Sequence, residues 1–187
     1  MPVRLHVWGK RACFARPEFR SDRVSYDVLT PLAARAILEA VHWKPAIRWH
    51  VDRIHVLRPI CFERREHLVA LVAPAYVIEG RFELTDKAGA GDNEAYHEAA
   101  FKRHATQGRT FRPLRLGAQD FPAEFALLDD GESLPESTFP TEPECLDLGW
   151  MMHDIDFAGG KVARFFRAEI VKGSIDVPPR DSPELAS

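Results

Sequence analysis

The chain has 187 residues, 45% apolar and 28% charged, which suits one domain, or one domain with a small appendage, and excludes wholesale disorder. No apolar run approaches the roughly 18 residues of a membrane helix, so no membrane contact is expected. The net charge of -3 hides a segregation: residues 1–65 carry 13 Lys/Arg against 6 Asp/Glu, residues 101–115 carry five cations and no acid, and residues 116–160 carry eleven acids and no Lys or Arg.

In chain order, Val3, Leu5 and Val7 alternate with Arg4, His6 and Trp8, which predicts a strand. Residues 10–29 read as an irregular loop rich in cations. Thr30 is placed to cap a helix that Pro31 opens, with Ala33, Ala34, Ile37, Leu38 and Val41 as its apolar stripe and Pro45 as its limit. Strand character follows over Ile47–Leu57, and again over about Leu68–Leu84 with a break at Pro74. A second helix starts at an Asp92 or Asn93 cap and ends near Gly108. Short strands are expected near 111–116, 125–128, 148–157 and 162–171; 129–144 reads as a loop and 176–187 as a frayed tail. This order predicts an α+β fold, a ferredoxin-like (RRM-like) βαββαβ domain over 1–128 with a small C-terminal β appendage over 129–187.

Cys13, Cys61 and Cys145 are odd in number and far apart, so neither a disulfide framework nor a zinc ribbon is expected, and reduced thiols in a cytoplasmic protein are. Eight histidines occur without HExxH, paired Cys/His spacing or an EF-hand loop, so no metal or other cofactor is expected. The glycine-rich run Ala88–Asp92 either cradles a phosphate or simply leads into the helix cap. His97, Phe101 and His104 share one face of the second helix, with Lys102, Arg103 and Arg109 near its end. A histidine beside several cations suits RNA cleavage without metal: one group takes the 2′-OH proton, one protonates the leaving oxygen, and cations stabilise the phosphorane. The same residues would equally suit packing and the negative end of a helix dipole. Trp8, Phe14 and Trp43 are candidates either for base stacking or for the core.

Several segments together resemble one known family. They are Val7-Trp8-Gly9, Ala12-Cys13-Phe14, Asp22–Val28, the long run Ile37–Trp49 containing His42-Trp43-Lys44-Pro45, Asp52–Ile60, Tyr76–Glu79, Phe82–Thr85 and Phe121-Pro122-Ala123. The chain is thereby identified as similar to the CRISPR-associated repeat-processing proteins of the type I-C Cascade complex. The resemblance implies a ferredoxin-like repeat-associated fold with a small C-terminal β part. It implies metal-free cutting at the 3′ base of the repeat hairpin, and retention on the crRNA 5′ handle beside the Cascade backbone and large subunits. By the same resemblance, the family's Tyr-or-His position is His42 and its Lys-His pair reads Tyr96-His97, so His97, His42 and Tyr96 are the expected catalytic positions. Tyr96 replaces a lysine, and a neutral phenol does not stabilise a phosphorane as an ammonium does. Either Lys102 or Arg103 supplies that charge, or cleavage is weak, or the chain is a non-catalytic handle-binding subunit. Expected RNA contacts are Arg11, Arg16, Arg20 and Arg23 of the loop, with Lys44, Lys102, Arg103, Arg109 and Arg112. The family's usual insert before the Tyr-Val-Ile-Glu strand is short here, with ten residues between Arg65 and Tyr76.

Overall fold

The computed structural model describes residues 2–19, 21–157 and 160–187. Arg20, one of the expected RNA contacts, lies outside the described residues. The elements are β1 (Val3–Trp8), β2 (Arg11–Ala12), β3 (Arg23–Val24), α1 (Pro31–Val41), β4 (Ile47–Val56), β5 (Phe62–Arg65), β6 (Leu68–Val72), β7 (Ala75–Leu84), α2 (Glu94–Thr106), β8 (Glu124–Leu128), β9 (Cys145–Asp156), β10 (Val162–Val171) and β11 (Ser174–Asp176). The fold is mixed α+β, mostly strands with two helices.

One sheet has seven strands in the order β8-β1-β7-β4-β11-β10-β9, with every neighbouring pair antiparallel. The period-2 pattern of β1 buries Val3, Leu5 and Val7 on one face. Helix α1 packs against β4, β7 and β9, and α2 against β7, β8 and α1. Thr30 Oγ1 accepts from Ala33 N at 3.3 Å, and Pro31 occupies the first turn, so the helix starts where its cap chemistry directs. A smaller sheet forms on β6, which takes β2 antiparallel and β3 parallel on one side and β5 on the other.

Three expectations are corrected. The loop over 10–29 contains β2 and β3, because both find unpaired backbone groups on β6. Residues 111–116 form no strand; their only ladder contact among the described residues is the bridge between Arg115 and Pro122. The segment 176–187 is not frayed. Asp176 closes β11, Val177 and Leu185 pack on the core, and Ala186 bridges Phe165. Strands β9, β10 and β11 continue the main sheet from β4, and Met151, Phe166, Ala168, Ile170 and Ile175 share its core. The three cysteines are unpaired.

Candidate functional site

The site forms where the end of α1 meets the start of α2. Helix α1 stops at His42, whose backbone turns extended before Pro45. The buried Trp49 of β4 fixes this end by donating its indole N–H to the His42 carbonyl at 2.7 Å. Trp49 in turn rests edgewise against Phe82 and at a tilt against Phe101, with ring centroids at 5.1 and 5.0 Å. On α2, Asn93 caps the helix by accepting from Tyr96 N at 2.9 Å, which sets His97 one turn inside and facing the core.

Two imidazoles and a carboxylate then form a chain. His97 Nδ1 lies 3.0 Å from His42 Nε2, and His97 Nε2 lies 2.9 Å from Asp92 Oδ1. Asp92 is itself held by the Gly89 N–H, which donates to Oδ2 at 2.8 Å. A carboxylate only accepts, so His97 Nε2 carries the proton that Asp92 receives. In neutral His97, Nδ1 is then the acceptor and His42 Nε2–H the donor. That leaves His42 Nδ1 with a lone pair, buried and without a partner among the described residues. His97 is fully buried and His42 nearly so. Burial, followed by the charges of His97, His104, Lys44 and Arg103, lowers the His42 pKa to about 4, so its imidazole is neutral at physiological pH. The Asp92 carboxyl is held below its ordinary range, chiefly by the Gly89 N–H and then by His97. The Ala88–Asp92 run is therefore a turn that aims a carboxylate. Sequence reasoning missed Asp92 as a functional side chain; its signal was an acid five residues before the histidine.

The expected residues divide by location. His42 and His97 are together at the centre, and Tyr96 sits at the surface, half-exposed, its ring edgewise to His97 at 5.1 Å. Lys44 and Arg103 are exposed and their charges reach His42. Neither they nor Arg109 makes an ion pair among the described residues. Lys102 turns away, pairing with Glu98 at 2.8 Å and Asp130 at 3.0 Å, so Arg103 is the helix lysine or arginine whose charge is felt at His42. Three loop arginines are occupied: Arg11 by Glu63, Arg16 by Asp27 and stacked over Tyr26, Arg23 by Asp120. Arg112 reaches the Ala36 carbonyl and Glu39. Of the aromatic candidates, Phe14 is core, Trp8 lies beside His6, and Trp43 is half-exposed. No cluster of three or more metal-ligating side chains occurs among the described residues.

Comparison with known proteins places this chain in a family. The family described as CRISPR-associated protein (Cas_Cas5), in its Cas5d form, matches residues 3–178. This chain belongs to the Cas5d family. One relative, the CRISPR pre-crRNA endoribonuclease Cas5d of Mannheimia succiniciproducens, is 45% identical over 213 residues, covering 95% of each chain. Another, of the same name from Thermus thermophilus, is 33% identical, covering 98% of this chain and 94% of its own. Two solved structures share the fold. A CRISPR-associated protein superposes with TM-score 0.87 at 22% identity, covering 100% of this chain and 97% of its own. A functionally uncharacterized protein from Streptococcus mutans superposes with TM-score 0.83 at 20% identity and the same coverage. The first alignment runs over 213 residues against 187 in this chain, so that Cas5d relative carries residues absent here. Where the sequence places the shortening, Arg65 pairs directly with Leu68, and Glu66-His67 make a two-residue hairpin turn.

Proposed function

We propose that this chain is the pre-crRNA endoribonuclease of a type I-C CRISPR system, cutting repeat RNA without metal and remaining on the 5′ handle as a Cascade subunit. The observation that carries this reading is the Asp92–His97–His42 chain, flanked by the charges of Lys44 and Arg103. Family membership and two relatives with that printed activity support it. The strand order β8-β1-β7-β4, with α1 between β1 and β4 and α2 between β7 and β8, supports reading the N-terminal part as ferredoxin-like. Residues 1–128 are that domain and 129–187 an appendage whose strands continue its sheet.

The chemistry follows from the lone pair left at the end of the chain. His42 Nδ1 accepts the 2′-OH proton as the 2′ oxygen attacks phosphorus. His42 passes its Nε2 proton to His97 Nδ1, and Asp92 stabilises the resulting imidazolium. The P–O5′ bond breaks, leaving a 2′,3′-cyclic phosphate and a 5′-oxide that takes a proton from water, while the imidazolium returns its proton to solvent. Lys44 and Arg103 supply positive charge to the phosphorane, the role the family's lysine leaves open at Tyr96. Both imidazoles are covered in the free protein, so RNA must open this cover to reach Nδ1.

Labelled repeat RNA incubated with the protein in EDTA tests the reading. Cleavage by the wild type is expected, and its loss in His97→Ala with RNA binding retained. Asp92→Asn is expected to cut at least tenfold more slowly, because the tautomer of His97 is no longer fixed. Intact but shifted RNA with the wild type would favour a handle-binding subunit instead. Undiminished cleavage by His97→Ala would remove the histidine chain from the mechanism.

A further inference from the structure

A row of rings runs from the buried cutting centre to the surface. His97 and His42 have centroids 5.3 Å apart, His42 and His104 5.5 Å, and His104 and Phe111 5.5 Å, the last pair edge to face at 85°. The row ends in Phe111, whose relative exposure of 65% is unusual for a phenylalanine. It is not a loose side chain. Phe111 N donates to the Ala40 carbonyl at 2.8 Å, Arg109 N donates to the His104 carbonyl at 2.9 Å, and His104 Nδ1 donates to the Val41 carbonyl at 3.2 Å. The segment is thus tied to the ends of both helices.

Its surroundings are cationic. Residues 101–115 contain no acid. The notch under the ring, lined by Val41, His104, Arg109, Thr110 and Phe111, includes no carboxylate. Its volume of about 50 Å³ is too small to swallow a base, so a base would lie on the ring rather than in the notch. Phe111 is bracketed in sequence by Arg109 and Arg112, and with no carboxylate lining the notch this favours a polyanionic strand as the occupant. An exposed aromatic face beside Arg109, which makes no ion pair among the described residues, suits an unstacked base and its phosphate.

We propose that Phe111 is the platform on which an unpaired base of the RNA stacks beside the cutting centre, with Arg109 holding an adjoining phosphate. This rests on the endoribonuclease reading and adds a ligand contact to it. Because every base has a π face, the platform tolerates different bases and positions the strand more than it reads it.

The test is anisotropy of labelled repeat RNA, carrying its single-stranded flanks, with the full chain. Phe111→Ala should weaken binding roughly 5- to 150-fold. Phe111→Trp should bind within about threefold of wild type, and its indole emission should be quenched on adding RNA. Phe111 is exposed, so thermal melting of Phe111→Ala should match the wild type. Wild-type affinity in Phe111→Ala, or RNA-insensitive indole emission at position 111 while the RNA is bound, would overturn the platform. A wild-type protein that fails to bind this RNA would instead overturn the endoribonuclease reading.

Discussion

At the scale of single residues, His42 couples the site to stability. Its imidazole takes a proton near pH 6.5 when unfolded and at about 4 in the fold. Between those values the unfolded chain binds more protons, so stability must fall as pH drops from about 6.5 to about 4. The loss from this one group is on the order of 3 kcal/mol. Asp154 acts in the same direction lower down. Burial opposes its ionisation, but Arg35 at 2.8 Å, the Ile155 N–H and Arg180 at 3.0 Å outweigh that and lower its pKa. Its contribution is therefore present above the ordinary carboxyl value of 3.8 and lost as pH falls below it. His42→Asn should remove the first effect and leave the second. Urea unfolding at pH 7 and pH 4.5 separates them: the wild type should lose clearly more stability between the two than the variant. Equal losses would exclude His42 as the source.

Among elements, the joint between α1 and the sheet is close enough that sequence specifies it at one atom. Gly80 of β7 pairs with Val51 of β4 beneath Leu38 of α1. A Cβ there would lie 2.6 Å from Leu38 Cδ1 and 2.8 Å from the His50 carbonyl oxygen, and the second of these is backbone that cannot step aside. Gly80→Val should cost about 1–3 kcal/mol or more, read as a lower urea midpoint at pH 7. An unchanged midpoint would mean that α1 does not sit so close. The same elements show what was legible in the sequence. Both helices, their Thr30 and Asn93 caps, and the strands around Pro74 follow from local signals: cap chemistry, apolar period and proline. The two-residue strands β2 and β3 carry no such signal, because they exist only where β6 offers partners. The C-terminal segment reads as polar and proline-rich, yet it is held by Arg180 on the buried Asp154 and by the Ala186 bridge, neither of which is local. In the site, His42 and His97 are 55 residues apart, and their contact is set by Trp49 fixing the helix end rather than by spacing. Asp92 was hidden behind its plausible role as a cap.

For the whole molecule, the charge segregation of the sequence becomes a question of which cations are free to meet phosphate. A count along the chain favours the N-terminal loop, with its dense arginines. The folded protein redistributes that emphasis, since Arg11, Arg16 and Arg23 are already matched by Glu63, Asp27 and Asp120. Exposed pairs of this kind contribute little stability, but a phosphate must compete with the carboxylate before it gains anything. Lys44, Arg103 and Arg109 have no such competitor among the described residues, and two of them place charge at His42. Each phosphate contact on single-stranded RNA contributes about -0.7 to the slope of log affinity against log salt. Neutralising Lys44, Arg103 or Arg109 singly to Gln should therefore flatten that slope by about 0.7 each. Neutralising Arg11, Arg16 or Arg23 should flatten it by clearly less, because an arginine already held by a carboxylate has no full phosphate contact to lose. Titrating repeat RNA at several salt concentrations distinguishes the two sets. If the loop arginines carried the larger share of the slope, the strand would have to cross the β2–β3 side of the molecule, away from the histidines, and the site would need to be rebuilt around that face.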